Sequence, residues 1–167
     1  MRYRVGQCVL YRNSGVYKIE AVGRVTFQRG YGEDYYTLCP YYGKGREHVY
    51  IPVSAQQFMR RSMTEEQARG CLMELRHMKV ENFRYTKPSF LLPHYQALFA
   101  EYDINSHLRL FKEICQKEKR LRERDRKLCE TDKRFKRDVE NLLSEEFAVA
   151  LNETPEQAKE KLYQALN

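Results

Sequence analysis

Residues 117–137 carry eleven lysines and arginines against five acids, Glu118, Glu123, Asp125, Glu130 and Asp132. Cations at this density do one kind of chemistry well. They neutralise phosphates along a duplex and release its counterions without reading any base. Arg120, Arg122, Arg124, Lys133, Arg134, Lys136 and Arg137 are the candidate phosphate contacts. The same run also reads as a solvated helix face, laced by the acid-first pairs Glu118–Arg122 and Glu123–Lys127 four residues apart. Upstream, Phe83, Arg84 and Tyr85 precede Phe90, Leu91 and Leu92 in a stretch punctuated by Pro88 and Pro93. Apolar side chains there either pack between helices or form a wedge able to lever open a base step in the minor groove. A third group is aromatic: Tyr17, Tyr35, Tyr36, Tyr41, Tyr42 and Tyr50. It reads as cross-strand packing, as a cage for methyl-lysine, or as a platform for stacked bases.

The combinations that catalysis needs do not stand out. His48, His77, His94 and His107 are scattered, and no Gly-rich phosphate loop, paired-carboxylate signature or nucleophile–base pairing accompanies them. The five cysteines, Cys8, Cys39, Cys71, Cys115 and Cys129, are odd in number and contain no Cys-x-x-Cys pair. Free thiols in a reducing compartment are therefore expected, with no metal site. These residues predict a protein that is not an enzyme and takes no cofactor or small-molecule substrate.

A chain of 167 residues with net charge +7 suits one domain or two small ones and favours polyanionic partners. No run of 18 apolar residues exists, and the N-terminus lacks the apolar stretch of a signal peptide, so a cytoplasmic, membrane-free protein is expected.

Two textures divide the chain. In residues 1–58 an apolar segment over 5–11, a turn at Asn13-Ser14-Gly15 and a second segment over 16–22 predict a strand–turn–strand. Tyr17, Ile19 and Ala21 alternate with Lys18 and Glu20, which places the first three on the core face. Gly15 is free to take positive φ, and Asn13 tolerates it. A turn at Gly30-Tyr31-Gly32, a strand from Asp34 to Cys39, a turn at Tyr42-Gly43-Lys44-Gly45-Arg46 and a strand from His48 to Val53 follow. Pro52 belongs at a strand end or sheet edge because it lacks an amide donor. Four or five short antiparallel strands in so few residues predict an SH3-like or Tudor-like barrel.

Residues 59–167 read as helical. Thr64-Glu65-Glu66-Gln67 has capping-box spacing before a helix over 64–78. Residues 79–93 are expected to be irregular, with Pro93 opening a short helix to Tyr102. Apolar residues then recur every seven positions at Ile114, Leu121, Leu128, Phe135, Leu142 and Val149, with a break expected at a Thr131-Asp132 cap. Thr154-Pro155-Glu156-Gln157 announces the last helix. The fold class is thus α+β by domain, a small barrel followed by an all-α domain.

The motifs Val5-Gly6-x-x-Val9-Leu10-Tyr11-x-x-x-Gly15-Val16, Asp34-Tyr35-Tyr36-Thr37-Leu38 and Val49-Tyr50-Ile51-Pro52-Val53 resemble the RNA-polymerase-interacting domain of the CarD/CdnL family. The closing stretch from Asp132-Lys133-Arg134 through Leu142-Leu143-x-Glu145-Glu146-Phe147-Ala148-Val149-Ala150-Leu151, with Thr154-Pro155-Glu156-Gln157-Ala158, resembles that family's last helices. The resemblance implies a bacterial, nucleoid-associated transcription regulator. Its Tudor-like domain would bind the RNA polymerase β subunit, and its helical domain would hold double-stranded promoter DNA and stabilise the open complex. By position the polymerase-binding residues would be Arg24, Val25, Val49 and Tyr50, on neighbouring strands. Relatives carry a tryptophan wedge, whereas this chain has no tryptophan. Aligning on Tyr95 gives the wedge position to Leu91, with Phe90 beside it. Two other readings stand beside this one: a divergent interaction module that docks on polymerase or another partner without touching DNA, and a small-barrel RNA-binding protein.

Overall fold

The computed structural model describes residues 2–25, 32–43, 47–81 and 87–167. The chain forms two compact units, Met1–Ser62 and Met63–Asn167. The first is a five-stranded antiparallel sheet: β1 (Cys8–Tyr11), β2 (Val16–Gly23), β3 (Tyr35–Pro40), β4 (Val49–Pro52) and β5 (Met59–Arg61), in the order β4-β3-β2-β1-β5. A 3-10 helix over Val53–Phe58 joins the last two strands. Because β5 pairs with β1, residues 59–61 belong to the sheet unit.

Alternation along the strands builds the core of this unit. Val9 faces Tyr17, Ile19 faces Leu38 and Tyr36 faces Ile51 across the ladders. These six side chains are buried together with Met59 and Tyr3. The Tyr3 hydroxyl donates to the Met59 carbonyl at 2.7 Å, and its ring meets Tyr36 edge-on. Pro52 ends the edge strand β4, where a missing donor costs no ladder bond.

Two local expectations change. Gly15 takes positive φ, but the other left-handed residue of the β1–β2 turn is Arg12 (φ 49), not Asn13. Arg12 is held there by its N–H to the Phe58 carbonyl at 2.9 Å and by its guanidinium over the Tyr11 and Phe58 rings. Ala21 is exposed, not a core residue, because β2 carries a bulge. Ile19 pairs with Leu38 and Ala21 with Thr37, so Glu20 is the extra residue and the period of two restarts after it. Of the expected turns, Gly30, Tyr31 and residues 44–46 lie outside the described residues.

The second unit holds α1 (Glu65–His77), α2 (Pro88–Ala100), α3 (Ile104–Arg122), α4 (Glu130–Leu151) and α5 (Pro155–Ala165). The reciprocal bonds of both expected capping boxes form: Thr64 with Gln67 at 2.9 and 3.2 Å, and Thr154 with Gln157 at 3.0 and 3.2 Å. The central helix α4 packs against the other four. It buries Phe135, Val139, Leu142, Leu143 and Phe147 against residues such as Leu75, Tyr95, Phe111 and Leu162.

Helix α2 begins at Pro88, five residues before the expected start. Proline at the first helical position needs no amide donor, and it keeps Lys87 extended. Pro93 therefore lies inside the helix, and Phe90, Leu91 and Leu92 are helical, not part of a loop. The break between α3 and α4 also comes earlier than Thr131-Asp132. Asp125 turns left-handed (φ 53), its N–H bonds the Arg122 carbonyl at 3.1 Å, and the Arg126 N–H bonds the Leu121 carbonyl at 2.8 Å. This is a Schellman termination with aspartate where glycine is commoner. The seven-residue spacing is spent within the unit: Ile114, Leu128, Phe135 and Leu142 are all buried in it.

Candidate nucleic-acid interface

The α3–α4 hairpin carries the basic run, and buried ionic bonds fix its shape. Asp132, only 1% exposed, accepts from the Tyr95 hydroxyl at 2.9 Å, from Lys117 Nζ at 2.8 Å and from the Cys129 N–H at 3.1 Å. One carboxylate thus ties α2, α3 and the start of α4 together. Burial, and then the Asp132 charge, push the Tyr95 hydroxyl far above the ordinary tyrosine range. A neutral tyrosine is the form that can donate to a carboxylate, so the shift and the hydrogen bond agree. Beside it, Glu113 accepts from Arg109 at 3.1 Å and lies 2.7 Å from His94 Nε2. Lys112, also buried, donates to the Leu75 and Arg76 carbonyls and satisfies the C-terminus of α1. Burial lowers the pKa of this ammonium.

The eleven cations of the run divide into two classes. Lys117 is held by Asp132, Lys133 by Glu130 at 2.7 Å, Lys136 by Glu118 at 2.6 Å and Arg137 by Asp138 at 3.4 Å. Among the described residues Lys119, Arg120, Arg122, Arg124, Arg126, Lys127 and Arg134 form no ion pair. The Glu118–Arg122 pair expected from spacing is replaced by the interhelical Glu118–Lys136 bond. Glu123 and Lys127 lie beyond the end of α3, so no helix aligns them. Arg122, Arg126, Lys127 and Lys133 line an open cleft of ≈ 360 Å³ with Glu118, Asp125 and Leu128. Lys133 also lines a neighbouring cleft of ≈ 450 Å³, with Arg134, Arg137, Glu130 and Thr131. Sharing Lys133 makes the two clefts one continuous basic surface.

The candidate phosphate contacts thus differ in availability. Arg122, Arg124 and Arg134 are exposed and unpaired, Arg120 is half-buried, and Lys133 and Arg137 are exposed but paired on the surface. Surface pairs of this kind are worth little and yield readily to a phosphate. Lys136 is 18% exposed, bound to Glu118 and set over the Tyr163 ring, which makes it a strut of the hairpin. Arg126 and Lys127, which are not among the candidate phosphate contacts, lie beyond the end of α3 and line the first cleft. The turn that ends α3 frees both.

The two candidate wedge residues differ in exposure. Leu91 is 2% exposed and belongs to the core of the helical unit, whereas Phe90, at 56%, is the exposed apolar side chain of α2. Phe83, Arg84 and Tyr85 lie outside the described residues.

In the sheet unit, β3 lies between β2 and β4, so the candidate docking residues are not on neighbouring strands. Arg24 and Val25 follow the end of β2, whereas Tyr50 pairs with Thr37, whose partner on β2 is Ala21. Val49 packs against the core, and Tyr50 is exposed at 42%. Of the six tyrosines considered, Tyr17, Tyr35 and Tyr36 are buried, and Tyr41 contacts Tyr42 edge-on at 4.9 Å.

No helix of the described residues is long and apolar enough to cross a membrane. Compared with known proteins, the chain matches no family model and no curated sequence.

Proposed function

We propose that this chain is a non-enzymatic transcription regulator that binds duplex promoter DNA through the α3–α4 hairpin and RNA polymerase through the sheet unit. One observation carries the DNA half of the reading. Four of the seven unpaired cations, Arg122, Arg126, Lys127 and Arg134, border two adjoining clefts on one hairpin, with the surface-paired Lys133 and Arg137 beside them. Phosphate contact needs this kind of clustering, and cations dispersed around the helices would not supply it.

The resemblance of the strand motifs to a polymerase-interacting domain supports the docking half. So does the strand order β4-β3-β2-β1-β5 with a 3-10 helix before β5, an arrangement compatible with an SH3-like or Tudor-like barrel. Edge strand β4 offers the exposed Tyr50 for contact with a partner strand. Phe90 takes the wedge role from Leu91. The protein acts by holding the open promoter complex more tightly than the closed one, since only differential affinity shifts that equilibrium. Burial of Tyr17, Tyr35 and Tyr36 speaks against the base-stacking alternative.

Two measurements test the two halves. Pull-down with the polymerase β-subunit lobe is expected to succeed and to weaken with Tyr50→Glu or Arg24→Glu; unchanged capture by both variants removes the docking surface. A mobility shift with promoter duplex is expected to weaken in an Arg122→Glu/Arg126→Glu/Lys127→Glu variant. Equal shifts remove the hairpin from the interface, and no shift by the parent leaves a docking module without DNA contact.

A further inference from the structure

The outward face of the sheet gathers three metal-ligating side chains from three successive stretches of chain. Ile19 and Leu38 point into the core, so Glu20 on β2 and Cys39 on β3 point out. Val49 packs inward, so His48, the residue before β4, points out as well. The bulge at Glu20 adds the decisive turn. As the residue without its own ladder partner, Glu20 is free to lean across β3 towards the start of β4. His48 Nε2 lies 2.7 Å from Glu20 Oε2, and one ligand atom each from Glu20, Cys39 and His48 all lie within 4.8 Å of one another.

We propose that Glu20, Cys39 and His48 form a binding site for a zinc-class divalent transition-metal ion, with a fourth coordination position open to solvent. Magnesium and calcium take oxygen ligands, whereas a thiolate and an imidazole beside one carboxylate suit zinc and its neighbours. Metal–ligand bonds of about 2.0–2.3 Å in a tetrahedron hold ligand atoms roughly 3.3–3.8 Å apart. The His48–Glu20 contact opens slightly and the widest pair closes by at most about 1 Å, within reach of side-chain rotation on a fixed backbone. The β2–β3 and β3–β4 ladders supply that backbone. Burial and the Glu20 carboxylate raise the Cys39 pKa in the ion-free protein. A bound dication reverses that preference, and the thiol proton leaves to solvent as the metal–sulfur bond forms. Lys18, paired with Cys39 across the ladder, puts one positive charge beside the cluster and tempers its affinity. The Tyr50 ring lies 6.3 Å from the His48 ring, so a bound ion sits beside the exposed tyrosine of β4.

Cobalt(II) replaces zinc with a visible signature. Added to the reduced, metal-free, untagged full chain, one equivalent of Co²⁺ is expected to give thiolate-to-metal charge-transfer absorption and tetrahedral d–d bands, both lost on adding Zn²⁺. Cys39→Ser removes the charge-transfer band. His48→Ala and Glu20→Gln weaken Co²⁺ binding by about tenfold or more, at least what loss of an outer-shell partner costs. Cys129→Ser, which removes an exposed thiol of the other unit, leaves the spectrum intact. A chain that gives no such band, a band that survives Cys39→Ser, or an affinity unchanged in His48→Ala overturns the site.

Discussion

Truncating Leu91 to alanine is expected to cost about 2–5 kcal/mol, because a fully buried leucine leaves a cavity that its neighbours fill poorly. Phe90→Ala should stay within about 0.5 kcal/mol of the parent and yet weaken promoter binding. Thermal melts and mobility shifts of the two variants separate core from wedge. If Phe90→Ala binds duplex as the parent does, α2 carries no wedge. Buried titrating groups give a second residue-scale prediction. Burial pushes the Cys115 thiol up to about 12, and Tyr95 and Tyr163 are also raised. For each, the folded state keeps a proton that the unfolded state gives up, so the unfolded chain binds fewer protons and stability falls with rising pH. That loss begins near pH 9, the ordinary cysteine value, and is joined by the tyrosines near pH 10. The lowered pKa of Lys112 works the other way, since there the folded state gives up its proton first. Urea midpoints between pH 8 and 11 should therefore fall, and Cys115→Ala should make that fall shallower. A flat profile would contradict the buried, neutral state of these groups.

At the scale of elements, caps and breaks decide what the helices can present. Replacing the Thr154 cap by alanine should destabilise α5 by about 1 kcal/mol, with Thr154→Ser close to neutral; equal melting temperatures for the two would refute the cap. Both capping boxes were legible because hydroxyl, spacing and amide are local signals. So was most of the sheet, through Tyr17, Ile19 and the other alternating residues. The Glu20 bulge was not, since a bulge depends on how two distant strands settle their register. The early start of α2 was hidden because Pro88 and Pro93 both suit a first turn, and only packing of Leu91 chooses between them. The Asp125 turn was hidden because aspartate seldom ends a helix in the left-handed conformation. That single turn decides the candidate site: it takes Arg126 and Lys127 out of a helix and puts them beside Lys133. Which cations are spent on struts was equally unreadable, since Lys117–Asp132 and Lys136–Glu118 join residues 15 and 18 apart.

Across the whole molecule, the proposed function assigns the sheet unit to polymerase and the helical unit to DNA, and the net charge of +7 lies behind the second. Charge alone draws any basic protein to a duplex, so the claim rests on where that charge acts. The direct measurement is the salt dependence of binding between the full chain and promoter duplex, for the parent and for Arg122→Glu/Arg126→Glu/Lys127→Glu. With about 4–6 phosphates engaged, the slope of log K against log salt should be about −4 to −5 for the parent. It should flatten by about 3 in the triple variant, one phosphate for each arginine or lysine removed. A binding constant that does not fall with salt, or a triple variant with the parent's slope, would contradict phosphate contact by the α3–α4 hairpin.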